Sequence, residues 1–186
     1  MIVKQFMIDT LEANVFVAWC KSTRDAMLID CGQFREELVT YAMKHQLNVT
    51  KIFVTHGHHD HVEGLSEAVK HFGAELLASS DQVAGLPAKK LVHGSRVQLG
   101  RLIGTVSSTP GHTPDGISIA FEGHVFTGDA LFAGSVGGTA TPELAELQRD
   151  RVRQNIFTLP DHYVVHCGHG PSTTIEIEKN YNPFFV

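Results

Sequence analysis

The feature that most constrains this chain is the run Thr55-His56-Gly57-His58-His59-Asp60-His61, directly after the apolar, strand-like segment Lys51-Ile52-Phe53-Val54. Three histidines and a carboxylate stand there in H-x-H-x-D-H spacing. Imidazole nitrogen and carboxylate oxygen are the ligands that suit zinc, iron and manganese. At strand spacing His56 and His58 share a face, so one ion can take both. Asp60 and His61 fall where the chain turns into a helix-like stretch over residues 62–72, and can aim at a second ion. A segment that serves two adjacent metals points to hydrolysis.

Further ligands come in three short pieces, each after a strand-like run and each flanked by glycine. They are Thr109-Pro110-Gly111-His112-Thr113-Pro114, Thr127-Gly128-Asp129-Ala130-Leu131-Phe132 and Cys167-Gly168-His169-Gly170-Pro171. Glycine lets the backbone turn sharply and approach a ligand closely. Loops at strand ends are where a rigid scaffold presents chemistry. Asp30, at the end of the Leu28-Ile29 strand, is placed to accept the outer N–H of a ligand histidine.

Composition narrows the partners. A chain of 186 residues with 42% hydrophobic and 19% charged content reads as one domain with a substantial core. Its net charge of −5 leaves no basic face for nucleic acid. No apolar stretch approaches the roughly 20 residues of a membrane span, and Gln5, Asp9 and Glu12 interrupt any signal-peptide core. Cys20, Cys31 and Cys167 show no framework spacing, which fits a reducing, cytoplasmic setting.

Apolar alternation predicts strands over 2–8, 14–20, 26–29, 52–55, 75–78, 102–106, 117–121, 125–127 and 163–166. Glu122-Gly123 predicts a tight hairpin. Helical periodicity covers 34–45, 62–72, 142–157 and 172–180, with Thr141 as N-cap and Pro142 in the first turn. Of the other histidines, His59 is expected to point away from the ligands along the strand. His45 and His71 end helices. His93, His124 and His162 read as solvated, and His166 as a packing residue.

The order H-x-H-x-D-H, TPGHT, TGDALF, GHGP resembles the metallo-β-lactamase superfamily, and within it the glyoxalase II-like hydrolases. Asn14, Leu28-Ile29-Asp30, Gly134-Ser135-Val136-Gly137 and Asn182-Pro183-Phe184-Phe185 extend the likeness over nearly the whole chain. The resemblance implies an α/β fold, a four-layer αββα sandwich of two mixed sheets with the metal site at one edge. It implies two divalent ions, zinc first with iron or manganese as the other candidates. His56, His58 and His112 would hold one, Asp60, His61 and His169 the other, and Asp129 would bridge. A carboxylate suits that bridge, because two cations about 3.5–4 Å apart need an anion between them. A shared water would then supply hydroxide at neutral pH, with Asp60 orienting it.

The implied activity is cleavage of a thioester, an S-acyl glutathione or a related small acyl thiol. Two departures bear on it. Short members of this type carry a basic residue after G-x-G, where Gly137 is here followed by Gly138-Thr139-Ala140. Cys31 and Cys167 replace prolines, and read as small buried residues or as redox-active thiols. Three other readings stand beside thioester hydrolysis. One is a mononuclear-iron persulfide dioxygenase using His56, His112 and Asp129. Another is a metal-dependent lactone or phosphoester hydrolase, since the ligands fix the nucleophile and not the electrophile. The third is a non-catalytic metal-binding module. Oligomeric state, monomer or homodimer, stays open.

Overall fold

The computed structural model describes residues 1–186. The first half of the chain lays down β1 (Ile2–Met7), β2 (Asn14–Trp19), β3 (Asp25–Ile29), α1 (Glu36–Lys44) and β4 (Asn48–Phe53). There follow α2 (His59–Val62), α3 (Leu65–Phe72), β5 (Glu75–Ala78), the small hairpin β6 (Gln82–Val83) and β7 (Leu86–Pro87), and β8 (Lys89–Lys90). The second half supplies β9 (Arg96–Leu99), β10 (Leu102–Ser108), β11 (Ile117–Phe121), β12 (His124–Gly128), α4 (Pro142–Asn155), β13 (Val164–Cys167), β14 (Thr173–Thr174) and α5 (Ile175–Tyr181). Two six-stranded sheets result, ordered β1-β2-β3-β4-β5-β8 and β14-β13-β12-β11-β10-β9. Both are mixed: β3-β4-β5-β8 pair in parallel in the first, and β12-β13 in the second.

Strand alternation sorts the core into three layers. Val15, Val17, Leu28 and Ile52 face outward from the first sheet onto Leu38 and Ala42 of α1 and Leu65 and Ala68 of α3. Their neighbours Phe16, Ala18, Met27, Ile29 and Phe53 face inward, against Val106, Ile119, Phe121 and Phe126 of the second sheet. Beyond that sheet, Val125, Val165 and Cys167 pack on Val152 and Ile156 near α4 and Ile175 of α5. The layers run helix, sheet, sheet, helix, so central strands are covered on both faces. That is why β2 is buried at every position.

Most expected elements stand within a residue or two. Thr141 caps α4, its side chain accepting from Leu144 N, with Pro142 in the first turn. Three differences have physical causes. The stretch expected as one helix over 62–72 is broken at Glu63-Gly64 into α2 and α3, because Gly64 lies against the Cys31–Phe34 backbone and leaves no room for a side chain. The expected helix over 172–180 begins only at Ile175, after Thr173-Thr174 have joined β13 as an edge strand. β9 was not expected, since Arg96-Val97-Gln98-Leu99 offers only two apolar positions, yet both are buried.

Strands β3, β4, β10, β12 and β13 all end at one rim of the sandwich. The segments that follow them carry every candidate ligand.

Candidate metal centre

Asp30 is the keystone of that rim. Immediately after β3 it adopts φ +58°, a left-handed conformation that costs a non-glycine residue on the order of 1–3 kcal/mol. Three hydrogen bonds hold it there. Its buried carboxylate accepts from Thr55 N (2.7 Å), Thr55 Oγ1 (2.8 Å) and His61 Nδ1 (2.9 Å). One side chain thereby ties the end of β3 to the histidine-bearing loop after β4 and to α2.

The outer nitrogens of four histidines each have a fixed acceptor. His61 Nδ1–H donates to Asp30. His56 Nδ1–H donates to Thr55 Oγ1 (3.1 Å), whose own proton goes to Asp30. His112 Nδ1–H donates to the Gly138 carbonyl (2.6 Å), and His169 Nδ1–H to the Leu11 carbonyl (3.0 Å). That leaves Nε2 of each ring as the atom that can meet a cation, and all four turn inward. His58 presents Nδ1 instead, 3.1 Å from His56 Nε2 and 2.9 Å from His112 Nε2. One proton on His58 cannot serve two lone pairs, whereas one cation can serve all three.

Asp60 Oδ2 lies 3.2 Å from His169 Nε2 and 3.6 Å from His61 Nε2, and those two nitrogens are 3.4 Å apart. Asp129 stands between the clusters. Its Oδ2 is 3.4 Å from His112 Nε2, 4.0 Å from His56 Nε2 and 3.5 Å from His169 Nε2. Its Oδ1 is 3.4 Å from His61 Nε2 but has no hydrogen-bond partner, although it is buried. A buried carboxylate oxygen left without a proton donor is costly unless a cation neutralises it. Ligands roughly 2.0–2.1 Å from a shared ion sit about 3.3 Å from one another, which matches these separations. The donor atoms cluster as His56–His58–His112, His56–His61–Asp129 and Asp60–His61–His169, each set close enough to hold a divalent cation, and Asp129 lies between His112 and His169.

The electrostatics agree. Burial, reinforced by the charge of His61, lowers His56 to about 4, so that it offers a free lone pair at neutral pH. Burial lowers His58 too, with His112 adding to it. At His61 burial opposes the charged form but is outweighed by Asp30 and Asp129, and the pKa rises to about 10. Asp129 is held well below the carboxylate range, burial being overcome by the His169 and His61 rings close beside it. The same field that draws protons onto His61 and His169 draws divalent cations.

All seven expected ligand positions converge, and Asp30 takes its expected place beneath them. The expected strand phase does not hold. β4 ends at Phe53, and His56 and His58 lie in the loop before α2, so they meet through different ring nitrogens rather than by sharing a strand face. His59 opens α2 and is exposed there, not placed on a strand. His124 is also not simply solvated. It is half-buried and hydrogen-bonded to His166 (3.0 Å). Cys31 and Cys167 are fully buried, and burial pushes both thiols up to about 12, which leaves them in the inert form.

Three supports were not evident from the sequence. Thr55 relays Asp30 to His56. Gln148, buried on α4, donates to the carbonyls of Asp129 (3.1 Å) and Ala130 (3.2 Å) and fixes the bridging loop. Gly168 lies so close to Asp129 Oδ1 that any side chain there would strike it. For the last, the glycine in Cys167-Gly168-His169 was the available signal.

Residues 8–169 match the family model described as the metallo-beta-lactamase superfamily. A probable metallo-hydrolase of Streptococcus pyogenes is 36% identical, over 86% of this chain and 80% of its own length. The hydroxyacylglutathione hydrolase GloC of Haemophilus influenzae is 31% identical over 95% of this chain and 94% of its own. The crystal structure of ETHE1 from Myxococcus xanthus superposes with a TM-score of 0.85 at 31% identity, covering 98% of this chain and 84% of that one. The chain belongs to the metallo-β-lactamase superfamily, whose members bind divalent metals.

Proposed function

Within that superfamily, we propose that this protein is a thioester hydrolase with a dinuclear metal centre, cleaving an S-acyl glutathione or a related small acyl thiol. His56, His58 and His112 would hold one ion, Asp60, His61 and His169 the other, with Asp129 between. The observation that carries the reading is the clustering of six further donors around one buried carboxylate, Asp129, whose Oδ1 has no hydrogen-bond partner. The likeness to a hydroxyacylglutathione hydrolase over nearly the full length of both chains supports the substrate class.

Bound there, divalent cations supply a water acidified toward neutrality and polarisation of the acyl carbonyl. The chain's own residues do the rest. Asp30 and Thr55 hold His61 and His56 in the tautomers that face inward. Asp60, its Oδ2 3.2 Å from His169 Nε2, would orient the attacking water. A thiol leaves as thiolate with a pKa near 8.5, so no dedicated acid is required to expel it. The open side is bounded by the exposed Leu11 and by Phe132, whose ring meets His169 edge-on at 5.8 Å, an apolar setting for an acyl group.

The likeness to ETHE1 favours a second reading, supported by a subset of the same residues. His56, His112 and Asp129 form a two-histidine, one-carboxylate set of the kind that suits iron-dependent oxygenation, here of a persulfide. Turnover of S-lactoylglutathione and of the S-acetyl ester of 2-mercaptoethanol, and oxygen uptake with a persulfide, measured on one metal-loaded sample, separate the two. Thioester cleavage without oxygen uptake supports the hydrolase, and the reverse overturns it.

A further inference from the structure

Beside the metal-binding loop lies a groove in two connected parts. One, about 230 Å³, is bounded by the ligand His56 and by Gly57. The other, about 450 Å³, runs on past His93 and Ser108. Ser79, Ser80 and Asp115 line both, so they mark the junction. Asp115 is half-buried and lines both parts. It takes part in no side-chain hydrogen bond or ion pair, unlike Asp30, Asp60 and Asp129 nearby. Gly57 makes room for it, since a Cβ there would come within 3.2 Å of Asp115 Oδ2.

The chemistry of this groove is one-sided. Its polar groups are the hydroxyls of Ser79, Ser80 and Ser108, the amide of Gln82, the ring of His93, whose Nδ1 accepts from Ser108 N at 3.4 Å, and one unpaired carboxylate. No lysine or arginine lines either part. The loop on the other side of His112 is equally without a cation, for Gly138 offers its carbonyl to that histidine. A leaving thiol rich in carboxylates would find no counter-charge on either side and would meet Asp115 directly. A thiol with an ammonium or other hydrogen-bond donors would find a carboxylate without a partner and a row of hydroxyls.

Resting on the thioester reading, and narrowing it from S-acyl glutathione to a related small acyl thiol, we propose that Asp115 is a specificity-determining residue. The groove it commands receives the thiol half of the substrate, and it selects neutral or amine-bearing thiols over carboxylate-bearing ones.

The test is calorimetric binding of three free thiols to the metal-loaded protein: 2-(dimethylamino)ethanethiol, 2-mercaptoethanol and 3-mercaptopropionate. The S-acetyl esters of the same thiols are then assayed for hydrolysis. The expected affinity order is amine over alcohol over acid, with about a five- to tenfold span for a partly solvated carboxylate. Asp115→Asn should collapse that span while leaving metal content and the alcohol's affinity unchanged. A flat series in the parent protein, or an order that survives in Asp115→Asn, overturns the proposal. Because the binding series does not depend on turnover, the expected order without hydrolysis of any ester would sink the thioester reading and leave the groove's selectivity standing. Hydrolysis without the order would do the opposite.

Discussion

Two groups of buried or half-buried histidines sit in this molecule, and their fates differ because their neighbours differ. At the rim, His56, His61, His112 and His169 each give Nδ1–H to a fixed oxygen and turn Nε2 toward Asp60 and Asp129. On β12 and β13, His124 and His166 satisfy one another at 3.0 Å, and His166 Nδ1 meets Ser172 Oγ at 3.0 Å. No carboxylate joins them, and the His166 ring stacks on Phe126 at 4.7 Å. The first arrangement gathers ring nitrogens around two carboxylates, a set that divalent cations can satisfy all at once. The second closes on itself and behaves as core. Histidine content alone distinguishes neither; the partner of the second nitrogen does.

The sharpest way to break this comparison is to remove the charge on which the rim converges. Asp129→Asn is expected to lower metal content and to reduce turnover by at least ~10²-fold, since bridging and water activation fail together. Full activity in that variant would put the rim histidines in the same class as His166. One step out, Asp30→Asn releases the His61 tautomer and loosens Thr55. Metal affinity should fall by roughly 10–100-fold in a chelator competition, with the seven ligands intact.

The inner pair gives a prediction of another kind. Burial, with the His124 charge adding to it, lowers His166 from 6.5 to about 3 in the folded protein. The unfolded chain therefore binds the extra proton first as pH falls. The stability this histidine contributes is fully present above pH 6.5 and is lost as pH drops from there toward 3. Urea unfolding of parent and His166→Phe at pH 7 and pH 4.5 should show the variant losing about 1–3 kcal/mol less across that interval. Equal losses would mean that the pair is hydrated rather than packed. Smallest of all, His59→Ala should change turnover less than about twofold, because this exposed residue at the start of α2 comes no nearer to a donor than 3.9 Å, at Asp60 Oδ1.

Much of this was legible in the residues. The donors announce themselves as four glycine-flanked clusters after apolar runs, and alternation in segments such as Asn14–Trp19 and Ile117–Phe121 gives the sheets. What the sequence concealed depends on long-range contact. The break between α2 and α3 follows from the approach of the Cys31–Phe34 backbone to Gly64, some thirty residues away in sequence. Gln148 looks like a surface residue of a polar helix, and only docking of α4 on the Asp129 loop buries it. His58 could not be assigned a ring nitrogen from spacing, because the backbone leaves strand geometry before it. Asp115 carries no motif, and its interest comes entirely from the groove around it.

The central claim is that two ions, not one, occupy the rim. Elemental analysis of the purified protein, per mole of chain, tests it most directly. The account predicts about two divalent metals per chain, falling toward one when His169→Ala removes a donor from the second set alone. One metal per chain in the parent, unchanged by His169→Ala, would contradict it.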